Sequence, residues 1–144
     1  SVSQGQSPAF IPNKAMRIID GSDVTIIATG TLVSRAVAAA AELKAEGISA
    51  RVINLSTVSP LDTAEILAAA KETKAIITAE ESVTRGGVGG AIAEFVVQNH
   101  PVPMKLMGID SFAPTGSATF LLEHFGLTAD SIVASARELL KHGK

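Results

Sequence analysis

Val24-Thr25-Ile26-Ile27-Ala28-Thr29-Gly30-Thr31 is the stretch that decides the fold. Its first five residues are apolar or β-branched without interruption. The run is too short for a buried helix and too continuous for a strand with one wet face, so it reads as a strand covered on both sides. Gly30 offers a tight turn and Thr31 a helix cap at the carboxyl end of that strand, the edge where open α/β sheets place ligands. Leu32, Val33, Ala36, Val37, Ala40 and Leu43 then fall on one stripe at helical spacing and stop at Gly47.

The same unit recurs outward from this stretch. Arg51–Leu55, Ala75–Ala79 and Met104–Gly108 are further short apolar runs, and successive starts lie 27, 24 and 29 residues apart. Each interval has room for one helix, which predicts repeated βαβ units and a parallel sheet. A second helix begins at Asp62, with Glu65 three residues on in a capping-box arrangement, and carries Ile66, Leu67 and Ala70 towards Lys74. A third runs from Val88 through Ile92, Ala93, Phe95 and Val96 and must stop before Pro101. The last follows Thr128, a good N-cap, with Asp130 at the positive end of the dipole, a stripe of Ile132, Val133, Ala136 and Leu140, and Lys141, His142 and Lys144 at the negative end.

Ahead of Val24, Lys14–Ile19 reads as an antiparallel edge strand, and Asp20-Gly21 as the two-residue turn of a hairpin into Val24. The expected architecture is a three-layer α/β/α open sheet of about four parallel strands plus one antiparallel edge strand. Residues 1–12 carry Ser, Gln, Gly and two prolines without periodicity and read as a linker or inter-domain tail, leaving residues 13–144 as one domain.

Composition removes several function classes. At 47% hydrophobic and 18% charged residues, the chain has the apolar material to bury a core. No apolar run reaches the length that spans a bilayer, and Ser1-Val2-Ser3-Gln4 lacks a signal-peptide layout, so a soluble, cytoplasmic protein is expected. Without cysteine there is no disulfide, thiolate zinc site or thiol nucleophile. A net charge of −2 without basic blocks, and five Phe with no Trp or Tyr, argue against nucleic acid and membrane surfaces as partners.

Candidate chemistry concentrates at one place. Arg85-Gly86-Gly87-Val88-Gly89-Gly90 follows the third parallel strand and opens a helix, whose free amides could cradle an anion. It lacks the spaced glycines of a dinucleotide fold and the Lys-Ser/Thr pair of a P-loop, and its glycines equally suit close helix packing. Glu80-Glu81 leaves the strand just before it; neighbouring strand residues face opposite ways, which works against a shared acid–base pair. His100, His124 and His142 share no metal-ligand spacing, and Ser82 and Ser117 sit in no nucleophile elbow. The residues therefore offer no catalytic set, and Glu81, Arg85, Gly86, Gly87 and Gly89 stand as interface or ligand-loop candidates.

Asp20-Gly21-Ser22-Asp23-Val24-Thr25-Ile26-Ile27-Ala28-Thr29-Gly30 resembles the opening of the transketolase C-terminal domain. Further marks follow in the family's order: Val52-Ile53-Asn54 with Pro60-Leu61-Asp62, Glu80-Glu81 ahead of Gly86-Gly87-Val88-Gly89, Asp110-Ser111-Phe112 with Gly116-Ser117, and Phe125-Gly126-Leu127-Thr128-Ala129-Asp130. The resemblance covers roughly Asn13 to Leu140. Deoxyxylulose-phosphate synthase and the β subunit of 2-oxo acid dehydrogenases share this fold, but the final segment resembles transketolase. Ala113-Pro114-Thr115 before Gly116 departs from the pattern and fits a split or bacterial branch.

The resemblance implies a thiamine-diphosphate enzyme of three domains that moves a two-carbon ketol unit between sugar phosphates, as in the pentose phosphate pathway, with Mg2+ or Ca2+ holding the diphosphate. This chain would be the third domain, binding no cofactor alone and serving dimer and inter-domain contacts. Its partners would be the diphosphate- and pyrimidine-binding domains, on the same or a separate chain. The competing reading is a free-standing module that binds a small anion or nucleotide at the glycine-rich loop.

Overall fold

A computed structural model describes residues 11–142. The linker read over residues 1–12 lies, up to residue 10, outside the described residues, as does Lys144. Five strands form one sheet in the order β1-β3-β2-β4-β5: β1 Met16–Ile19, β2 Val24–Ala28, β3 Ala50–Asn54, β4 Ile76–Val83 and β5 Met104–Ile109. β2 pairs in parallel with β3 and β4, and β4 in parallel with β5. The antiparallel edge strand is present as β1.

Helices cover both faces. α1 (Leu32–Ala45) and α5 (Ala129–His142) bury Leu32, Ala36, Leu43, Ile132 and Ala136 against Val24, Ile26, Val52 and Ile77. α2 (Thr63–Glu72) and α3 (Val88–Asn99) bury Ile66, Ala69, Ile92 and Val96 against Ile27, Ile53 and Ile76 on the other face. Alternate residues of one strand thus feed two separate cores, which is why β2 is apolar or β-branched throughout and buried at every position. A seven-residue helix, α4 (Ala118–His124), which the periodicity did not show, is capped by the Ser117 hydroxyl accepting from the Phe120 amide.

The hairpin expected between Lys14–Ile19 and Val24 does not form. β1 pairs instead with β3, Met16 opposite Asn54 and Arg17 opposite Ile53. Both edges of β2 are occupied by β3 and β4, so the chain leaving β1 must cross the start of β3 to reach its place. Gly21 makes that crossing, where a Cβ would collide with the Ala50 carbonyl carbon and the Arg51 nitrogen. Gly21 is therefore required by close backbone approach and not by a hairpin turn.

Two caps also differ in detail from their sequence reading. Thr31 occupies the N-cap position of α1, but its hydroxyl makes no capping bond. Asp62 caps α2 by accepting from the Glu65 amide at 3.4 Å, while the Glu65 carboxylate turns away to the Arg17 guanidinium. Asp62 further accepts from the Ala15 amide at 3.0 Å and from Lys14, fastening the lead-in of β1 to α2. At α5 the expected cap holds, with the Thr128 hydroxyl accepting from the Ser131 amide.

Candidate functional site

β4 is longer than its apolar core. Between Ala79, opposite Met107, and Val83, opposite Ile109, three residues of β4 stand against one of β5, so the ladder bulges at Glu80–Ser82. The bulge delivers the two adjacent glutamates to opposite faces. Glu80 turns towards α3 and is 2% exposed, whereas Glu81 stands on the other face, exposed.

Glu80 meets the start of α3. Its carboxylate accepts from the Val88 amide at 2.8 Å and the Gly89 amide at 2.7 Å, and from the Ser82 hydroxyl. These amides belong to the first turn of the helix, where N–H groups have no partner within the helix and the dipole favours negative charge. The cradle that a bound phosphate would use is thus filled by the protein's own carboxylate. The glycines follow from this fit. A Cβ on Gly87 would collide with the Val83 carbonyl and stand 2.6 Å from Glu80, and one on Gly89 would press on Thr78 and Glu80.

The five candidate residues divide accordingly. Gly87 and Gly89 face inward against Glu80, while Glu81, Arg85 and Gly86 are exposed on the outer side of the loop. Glu80, absent from the candidates although its pair was noted, is the residue that organises them. The available signal was a carboxylate in line with the inward positions Ile76 and Thr78, ahead of a helix start.

The carboxyl edge of the sheet also contains the topological switch point between β2 and β4, from which the chain leaves in opposite directions. Gly30 turns there with φ +55°, and Glu81 lies beside it. Next to Glu81, the residues Ile109, Ala113, Leu121 and Phe125 line an apolar pocket of about 170 Å³ beneath α4. Phe112, next in sequence to Ala113, is fully exposed. His124 stacks on Phe120, ring centroids 5.8 Å apart, and meets Phe125 edge to face at 4.9 Å. Among the described residues, no three histidine or carboxylate side chains converge on a common point as metal ligands would.

The family model of the transketolase C-terminal domain matches residues 13–132. The chain belongs to that family. Over 135 residues it is 43% identical to the 6-deoxy-6-sulfo-D-fructose transketolase subunit of Clostridium sp. (strain MSTE9), covering 93% of this chain and 42% of that one. Over 121 residues it is 45% identical to the 1-deoxy-D-xylulose-5-phosphate synthase of Heliobacterium modesticaldum, covering 83% of this chain and 19% of the synthase. A solved structure described as "Split gene transketolase, inactive beta4 tetramer" superposes with a TM-score of 0.89 at 36% identity, over 94% of this chain and 45% of that one. This transketolase C-terminal domain therefore spans less than half the length of each of these relatives. The mixed five-stranded sheet with helices on both faces is the fold of that solved neighbour.

Proposed function

We propose that the chain is the C-terminal domain of a transketolase-like enzyme that moves a two-carbon ketol unit between sugar phosphates, and that the domain itself is structural. The observation that carries the structural role is the filled cradle: both amides positioned for an anion at the start of α3 are bonded to Glu80. A diphosphate does not fit there without displacing a buried carboxylate, and no converging ligand set among the described residues fits its metal. Thiamine diphosphate and Mg2+ or Ca2+ are accordingly assigned to the companion domains, and no step of the reaction is assigned to this chain.

The partners are the diphosphate- and pyrimidine-binding domains, in one polypeptide or in a separate subunit. A relative named as a transketolase subunit and a neighbour solved as a tetramer support a multi-domain, homo-oligomeric parent, of which a dimer is the smallest form. Arg85 to Gly90 is a contact loop in that assembly. A cytoplasmic location is part of the same proposal. No helix of the described residues is long and apolar enough to cross a membrane.

Thermal unfolding of the isolated chain tests the cofactor assignment, because a ligand held by the native state raises its melting temperature. Saturating thiamine diphosphate with Mg2+, or pyrophosphate alone, leaves the melting temperature unchanged if Glu80 fills the cradle. A rise of several degrees with pyrophosphate would show an open anion site and favour the binding-module reading.

A further inference from the structure

We infer that the carboxyl edge of the sheet is a docking surface for the part of the subunit that precedes this domain, a partner presenting apolar side chains and a basic group. The inference rests on the reading of the chain as one domain of a longer enzyme.

Large apolar side chains are not scattered evenly over the surface. Among the described residues the exposed ones are Ile11, Val58, Val83, Phe112, Phe120 and Val97. All but Val97 lie where the chain enters or leaves the sheet at its carboxyl edge: Ile11 leads into β1, Val58 follows β3, Val83 ends β4, and Phe112 and Phe120 follow β5. Single exposed apolar residues are ordinary, but a set gathered on one edge marks an interaction surface. The α4 pocket adds a socket on the same edge, with Glu81 at its lip. Glu81 and Asp110 are exposed there and belong to no ion pair among the described residues, which suits a basic group on the partner.

The path of the chain identifies the occupant. β1 runs antiparallel to its neighbour, so it begins at the carboxyl edge, with Met16 opposite Asn54, the last residue of β3. Lys14 and Ala15 are fastened at that edge to Asp62. The described chain thus enters the domain at this edge. In the Clostridium relative more than half of the subunit lies outside the matched segment. Five strands at the usual spacing make an edge about 19 Å wide. A domain somewhat larger than this one has a radius of gyration of about 15 Å and can cover that edge from β1 to β5.

The chain has no cysteine, so single thiols report on the surface directly. Phe112→Cys, Val58→Cys and Val97→Cys are each labelled with a maleimide, in the 144-residue chain and in the chain joined to the preceding part of its subunit. The thiols at 112 and 58 should label at least tenfold more slowly in the longer protein, while that at 97 labels equally in both. If the longer protein catalyses ketol transfer but position 112 labels as fast as in the short chain, the docking surface is wrong and the reading of the enzyme stands. Protection at 97 instead of 112 would move the interface to α3. Protection that grows with the concentration of the short chain alone would assign the surface to a second copy, overturning the choice of occupant. If no preceding part is encoded and no ketol transfer can be reconstituted, the reading fails and the inference falls with it.

Discussion

Glu80 shows how one residue can close a site that a motif suggests is open. Replacing it with Ala leaves the Val88 and Gly89 amides without an acceptor at a buried helix start. The expected loss is about 1–3 kcal/mol, read from the urea midpoint. Glu80→Gln should lose less, and both variants should show faster hydrogen exchange at Val88 and Gly89. Gly87→Ala should also destabilise, by about 1–3 kcal/mol as overpacking usually does, because its methyl would enter the space held by the Val83 carbonyl and Glu80. Asp62 gives the pH dependence. Burial works against its ionisation, but bonds from the Ala15 and Glu65 amides and from Lys14 outweigh it, holding the carboxyl below its usual range. A depressed acid contributes stability above its unfolded value, about 3.9, and loses it as pH falls through the folded value. Asp62→Ala should therefore cost about 1 kcal/mol at neutral pH, and the difference from the native chain should shrink below about pH 4.

At the scale of elements, what could be read in advance was what repeats locally. α1, α2, α3 and α5 each carry a buried stripe at helical spacing, and β2 to β5 are apolar runs bounded by turn residues, so periodicity found all eight. α4 was missed because it buries no residue and so leaves no stripe. The partner of β1 was missed because pairing is set by which sheet edges are free, and Asp20-Gly21 serves a crossing as well as it would a hairpin. The bulge at Glu80–Ser82 was equally hidden, since a glutamate pair does not announce which member turns inward. Gly21 supplies the test at this scale. Gly21→Ala should cost about 1–3 kcal/mol, with protection lost first in β1 and at the start of β3, whereas a true hairpin turn would lose protection across a β1–β2 pair.

For the whole molecule, the sheet separates two tasks. Its faces are consumed by four helices and two cores, and its carboxyl edge gathers the glycine-rich loop, the α4 pocket and most of the exposed apolar side chains. An enzyme domain would be expected to place converging polar groups at that edge. Here the buried carboxylate is bound to the domain's own amides, and the exposed part of the edge combines apolar side chains with the carboxylates of Glu81 and Asp110, as suits the assembly role proposed above. The family was legible because five short motifs occur in order. The most direct test of that account is a ketol-transfer assay with a ketose phosphate donor, an aldose phosphate acceptor, thiamine diphosphate and Mg2+. The account predicts no transfer by this chain alone and transfer once the companion domains are supplied; turnover by the 144-residue chain on its own would contradict it.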